Sequence, residues 1–338
     1  MHLSPGNAAS NLVNANDALS LQQSQKNAAA IAFWQHRLGL DLPLFYFSIN
    51  SLGNQSVSYW IPVVHFQLNN QFHRWLFGDG IFSNGVLHGD FGISYTTRQP
   101  VTQLLQGRIK WSAGLAMAAM LFSVLISIPI AFHAANHKGK LFDKIVQGVS
   151  LVFIALPVFW LATLLLAVLA NPSVLHMLPA SGTGPISSTA TSGNWMESLP
   201  YLILPFICYT IGTTGFLLRS IRDMAIRELD EDYARTAFSK GQTRKRILFV
   251  HVLKNILPSL ITLAAFAFPA AISGSVIVEY IFAIPGMGSL LQQAVLNLDY
   301  PVISAVFLIS AVLTISGFIF SDLINAWLDP RRKKGVIV

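Results

Sequence analysis

The chain has 338 residues, 53% of them apolar and only 11% charged, with a mean hydropathy of +0.54. Soluble globular domains carry about a quarter charged residues, so this composition excludes an ordinary soluble enzyme. The net charge of +7 keeps a nucleic-acid surface open until the basic residues are located, and a lone cysteine, Cys208, excludes an internal disulfide framework or a cysteine metal cluster within one chain.

In chain order, Met1–Ala30 is rich in Asn, Gln, Ser and Ala and lacks the apolar run of a signal peptide. Turn-rich pieces, Ser4-Pro5-Gly6-Asn7 and Gly78-Asp79-Gly80, alternate with aromatic patches such as Phe45-Tyr46-Phe47, which predicts a small folded cap of mixed structure over residues 1–100. Val101, Leu104, Leu105 and Ile109 fall near one helical face, so a short interfacial helix over 98–110 should lead into the first span.

Five stretches then contain no Asp, Glu, Lys, Arg or His: 111–132, 145–170, 199–218, 256–278 and 302–321. About 20 helical residues cross a hydrocarbon core, so the expected fold is an all-α polytopic membrane protein of five transmembrane helices. These form a transmembrane domain over 101–326, and 327–338 is a basic tail. Of the 22 Lys and Arg, nine lie in 219–255, three in 133–144 and four in the tail, whereas 171–198 and 279–301 hold none. The positive-inside rule puts the first three segments and the C-terminus in the cytoplasm and the other two loops outside. The basic balance is thereby a topology signal, with no patch left for nucleic acid. With five spans the N-terminal region lies outside, yet nothing in it directs export, so an additional helix upstream of Met1 is expected.

Pro129, Pro157, Pro205 and Pro269 each remove a backbone donor and are expected to kink their helices. Small residues such as Gly114, Ala118 and Ser273-Gly274-Ser275 suit close helix contact. The spans hold no ionisable group, which argues against an ion-coupled carrier or an intramembrane hydrolase. Glu279 and Asp322 stand at span ends, where a capping or snorkelling role is expected. His133 and His137 are four apart but lack a third ligand, so no metal site is expected, and neither a phosphate-binding glycine loop nor a serine-nucleophile elbow occurs. No catalytic residue and no cofactor site are expected in this chain, so if it moves a solute against a gradient the energy must come from another subunit.

Segment 219–255 has the features of a docking knob for such a subunit. Acidic Asp230, Glu231 and Asp232 open a helical run that stops at Gly241, with Tyr233, Ala237 and Lys240 neighbours on it. A second helix from about Thr243 should carry Ile247, Val250 and Leu253 inward before merging with the next span.

The residues here closely resemble the cytoplasmic EAA loop of ABC importer permeases, in the version of the dipeptide, oligopeptide and nickel branch. The run is Asp232-Tyr233-Ala234-Arg235-Thr236-Ala237, then Lys240-Gly241, then His251-Val252-Leu253-Lys254-Asn255. Arg235-Thr236-Ala237 stand where the broad motif has Glu-Ala-Ala, and Gly241 is kept. Three further blocks are similar to that branch and recur in its order. They are Glu279-x-x-Phe282-x-x-Pro285-Gly286-x-Gly288 with Asp299-Tyr300-Pro301; Gly89-Asp90-Phe91-Gly92-x-Ser94-Tyr95 with Arg98-x-Pro100-Val101; and, more weakly, Ser4–Asn7 with Leu38-Gly39-Leu40-Asp41-x-Pro43. The branch normally has a helix before the Pro-Gly block, in line with the expected upstream helix, and 43–89 is longer than usual. The resemblance implies a permease subunit of the bacterial inner membrane. Its implied partners are a second homologous permease, two ABC ATPase subunits and an extracytoplasmic binding protein that delivers peptide. Nickel or its chelate is the alternative cargo, and a non-transporting membrane scaffold the alternative role. It further implies that Asp232, Tyr233, Arg235, Thr236, Ala237, Lys240 and Gly241 form the coupling helix, with Tyr233 and Ala237 packing into the ATPase cleft.

Overall fold

A computed structural model describes residues 41–43, 45–51, 62–78, 84–182, 195–272 and 276–328. The Ser4–Asn7 piece, the Ser273–Ser275 run and the basic tail Arg331–Lys334 lie outside the described residues. The chain divides into two compact units, 1–106 with 291–306, and 107–290 with 307–338.

In the first unit, β1 (Phe47–Ser51) and β2 (Pro62–Phe66) pair antiparallel, with Phe47 opposite Phe66. Aromatic side chains hold this ribbon against α1 (Gln71–Phe77), with the Tyr46 and Phe66 rings 6.1 Å apart and Phe45 and Phe72 5.8 Å apart. Asn70 caps α1 by accepting the His73 N–H at 2.7 Å, while its amide donates to the carbonyls of Gln67 and Leu68.

The second unit is helical. Helix α2 (Val101–Asn136) absorbs the expected interfacial helix and the first span into one rod that passes Pro129 unbroken. Helix α3 (Leu141–Ala155) and α4 (Val158–Leu165), continued by a π turn over Leu166–Ala170, occupy the second expected span and are bent by 95°. The cause is Pro157, which has no N–H to donate and pushes Leu156 out of the helical region to ψ 120. Helix α5 (Trp195–Leu229) contains Pro200 and Pro205 and runs on into the expected cytoplasmic segment. Only Pro157 therefore breaks its helix among these positions. Helix α6 (Asp232–Ser239) and the single turn α7 (Arg244–Arg246) follow, then a π segment, Ile247–Val252, that passes directly into α8 (Leu253–Ile272). Helices α9 (Val276–Ile281), α10 (Met287–Leu296) and α11 (Tyr300–Leu328) complete the chain. Among the described residues four helices are long and apolar enough to cross a membrane, and the bent pair makes a fifth span if it crosses as one.

Two apolar cores lie at opposite ends of α2 and α5. One gathers Leu115, Leu161, Ala162, Leu204, Cys208, Val278 and Phe282. The other gathers Ala131, Phe132, Ala135, Val146, Leu217, Ile221, Ala225, Ala234, Ala237, Ile247 and Val252. Along α2 the two are about 24 Å apart at 1.5 Å per residue. Gly215 lets α3 and α5 touch, since a Cβ there would sit 2.7 Å from Cβ of Phe153.

Candidate functional site

Helix α6 stands on the second core. Its spacing puts Ala234 and Ala237 inward, both buried, and leaves Asp232, Arg235, Thr236, Ser239 and Lys240 exposed. The helix closes on a Schellman motif, in which Gln242 N–H donates to Ala237 C=O at 3.2 Å and Gly241 N–H to Phe238 C=O at 2.9 Å. Gly241 has φ 77, the left-handed value that this motif requires and a glycine supplies without strain. Thr243 caps the next turn by accepting the Arg246 N–H, and the Arg244 guanidinium sits 5.5 Å over the Phe238 ring. The exposed face carries one loose ion pair, Arg235 to Asp232 at 3.7 Å, of the solvated kind that contributes little stability.

Tyr233 and Ala237, which the resemblance directs into a partner's cleft, face this chain instead. Ala237 is buried in the second core, and the half-buried Tyr233 donates its hydroxyl to Glu228 Oε2 at 2.6 Å. Burial, together with that bond to a carboxylate, raises the Tyr233 pKa. The same Glu228 oxygen accepts the Asn255 amide at 3.2 Å. His251 joins the Gln242 side chain at 3.0 Å. The expected inward position of Val250 is corrected. Val250 is 53% exposed, while Ile247, Leu248 and Val252 are buried, because the π turn adds a residue and shifts the face.

A buried ion pair ties α3 to α5 below this helix. Arg222 Nε and Nη2 donate to the two Asp143 oxygens at 2.5 and 2.8 Å, and Arg222 Nη1 donates to Asp223 at 2.8 Å. Asp143 also accepts the Gly139 N–H at 2.8 Å. The Arg222 hydrogen bonds outweigh burial and pull the Asp143 carboxyl down to about 2.

The block at 279–288 forms a second cluster at the other end of the same unit. Glu279 is 1% exposed, which corrects the expectation of a cap or a snorkelling side chain. Its oxygens accept the Ser112 hydroxyl at 2.5 Å and the Ser289 N–H at 2.9 Å, and Ser112 in turn accepts the Met287 N–H at 2.8 Å. The loop wraps so closely that a Cβ on Gly286 would lie 2.4 Å from the Glu279 carboxylate, and one on Gly288 2.8 Å from the Val276 backbone. Phe282 is buried in the first core, and its carbonyl accepts the Gly182 N–H at 2.7 Å.

In the first unit, two separate sequence blocks become one. Asp299, 3% exposed, accepts the Ser94 hydroxyl at 2.5 Å and the N–H groups of Tyr95 and Thr96 at 3.0 and 3.3 Å. Its own carbonyl accepts the Ile303 N–H, so the turn from the Gly89 block is pinned to the start of α11, where Tyr300 and Pro301 lie. Burial, with Asp299 beside it, pushes the Tyr95 phenol up to about 12.

The sequence reading missed Glu228, Asp143, Arg222 and Ser112. Asp143 and Arg222 are 79 positions apart, a pairing that no local spacing reveals. No group of three metal-ligating side chains occurs among the described residues. What the arrangement offers is a helix packed on its inner face, with a polar outer face.

A Bacillus subtilis oligopeptide transport system permease protein, AppB, is 34% identical over 263 residues, covering 77% of this chain and 79% of its own length. The Escherichia coli dipeptide transport system permease protein DppB is 30% identical over 263 residues, covering 73% and 78%. In fold, the chain is similar to the inward-facing MetNI methionine ABC transporter, with a TM-score of 0.52 and 15% identity over 67% of this chain and 96% of that one. The sequence pattern of one family matches residues 127–334, a stretch holding both the α6 knob and the Glu279 loop, and the chain belongs to that family, the binding-protein-dependent transport system inner membrane components.

Proposed function

We propose that the chain is one of a pair of permease subunits in an ATP-driven importer and forms half of the path for peptides delivered by an extracytoplasmic binding protein. Two ABC ATPase subunits supply the hydrolysis, and α6 with Gly241 is the lever they move. The observation that carries this reading is the two-faced packing of α6. Its inner face is fixed by Ala234, Ala237 and the Tyr233 hydroxyl, and Asp232, Arg235, Thr236 and Lys240 are left for a partner. Tyr233 and Ala237 then act by setting the pose of the lever. Peptide as cargo is supported by the oligopeptide and dipeptide relatives and by spans without Asp, Glu, Lys, Arg or His, which suit varied side chains held weakly.

The orientation has the C-terminus in the cytoplasm and the N-terminal region outside. It is supported by the basic residues of 133–144 and 219–255, whose segments share the second core and the Asp143–Arg222 pair.

The test is uptake of labelled di- and oligopeptides, against nickel, by a strain deleted for this gene and complemented with wild type or Gly241→Asp. Peptide uptake restored by wild type and lost in the variant is expected. Uptake of nickel alone would overturn the cargo, and full peptide uptake by Gly241→Asp would overturn the lever.

A further inference from the structure

Helix α6 is joined to α5 by a link of two residues, Asp230 and Glu231, whose N–H groups fold back on the carbonyls of Arg227 and Glu228. So short a link is a hinge. The apolar contacts below α6 come from the buried Ala234 and Ala237 with the half-buried Tyr233 and Phe238 rings beside them, and such contacts set how close the helix lies with little directional preference. Hydrogen bonds are directional, and those to a carboxylate are the strong ones. Glu228 provides two such bonds across the hinge, taking the Tyr233 hydroxyl from α6 and the Asn255 amide from α8 on one oxygen.

We infer that Glu228 is a positioning residue that latches the coupling helix to the ends of α5 and α8, so that force on the exposed face of α6 reaches the spans instead of turning α6 about its hinge. Three elements meet at this carboxylate: the lever α6, α5 before it and α8 beyond it. The inference rests on the importer reading given above. It adds to that reading a residue outside the family's coupling motif, on the far side of the hinge.

The experiment uses the whole complex, with the second permease, ATPases and binding protein, in liposomes, and measures peptide transported per ATP hydrolysed. Glu228→Ala removes both bonds, Tyr233→Phe removes one and keeps the ring, and Glu228→Gln keeps an acceptor oxygen. Transport per ATP should fall about three- to tenfold in Glu228→Ala and Tyr233→Phe, the factor corresponding to one or two such bonds. Glu228→Gln should recover most of it, and the double variant Glu228→Ala/Tyr233→Phe should be no worse than Glu228→Ala. A ratio equal to wild type in assembled Glu228→Ala and Tyr233→Phe complexes would overturn the inference. Loss of assembly in both would also do so, since it marks a bond needed for folding alone. Wild-type uptake that proceeds without ATP would instead sink the importer reading, a result distinct from either.

Discussion

Asp143 joins parts of the chain that the sequence keeps far apart. Its side chain is 1% exposed and its partner Arg222 12%, so the pair is buried, bidentate and further satisfied by the Gly139 N–H. Removing Asp143 leaves Arg222 with only the half-exposed Asp223 as its ionic partner and loses two charge-assisted hydrogen bonds, at a cost of about 2 kcal/mol. Asp143→Asn should therefore lower the unfolding midpoint of the purified protein in detergent. The carboxyl is pulled from 3.8 to about 2, so its contribution is present above the unfolded value and lost only as pH falls through the folded one. The Asp143→Asn penalty should accordingly be the same at pH 8 and pH 5, and a penalty that shrinks over that range would assign the stabilisation to another group. At this scale the sequence was partly legible. The glycines at 286 and 288 and the acid at 279 were visible as a block, because they are close in the chain. The reason for the spacing was not, since it lies in the carboxylate turning inward onto Ser112, 167 positions away.

At the scale of elements, the periods that failed did so at departures from the α-helix. The spacing Ile247, Val250 and Leu253 assumes 3.6 residues per turn, whereas Ile247–Val252 is a π turn in which Ile247, Leu248 and Val252 are buried and Val250 is exposed. A π turn is in effect one residue inserted into an α-helix. Deleting Val250 should let the segment close as α-helix while Ile247 and Val252 keep their burial. Deleting Ser259, in the α-helical part of α8, should rotate everything beyond it out of register. The expected result is a membrane-inserted, soluble-in-detergent complex for the Val250 deletion and none for the Ser259 deletion, scored by fluorescence size exclusion of a tagged chain. Equal loss in both would show that the extra residue is itself needed. Helix existence, by contrast, was legible almost everywhere, because uncharged runs of span length admit few alternatives. The bend at Leu156-Pro157 was legible as a break and illegible as an angle, since the proline dictates only that Leu156 leave the helix.

For the molecule as a whole, the question that bend raises is whether α3 and α4 cross the membrane as one span or return to the side they left. The contacts at the two ends of the pair argue for crossing. The first turn of α3 carries Asp143, which pairs with Arg222 near the C-terminal end of α5, and Ala131–Ala135 share a core with Ala234 and Ala237. The loop after α4 instead reaches the opposite core, where Gly182 N–H meets the Phe282 carbonyl. A returning pair would bring residues 138 and 173 to the same face, and with them three lysines to the side whose other loops, 171–198 and 279–301, hold no Lys or Arg. Single cysteines at Lys138, Ser173 and Arg235, all exposed, decide the matter, with Cys208 changed to Ala although it is buried. A membrane-impermeant maleimide applied to spheroplasts should modify Ser173→Cys at once, and Lys138→Cys and Arg235→Cys only after permeabilisation. Labelling of Lys138→Cys and Ser173→Cys from the same side would make the pair re-entrant, reduce the spans to four and reverse the sidedness of every segment before α5.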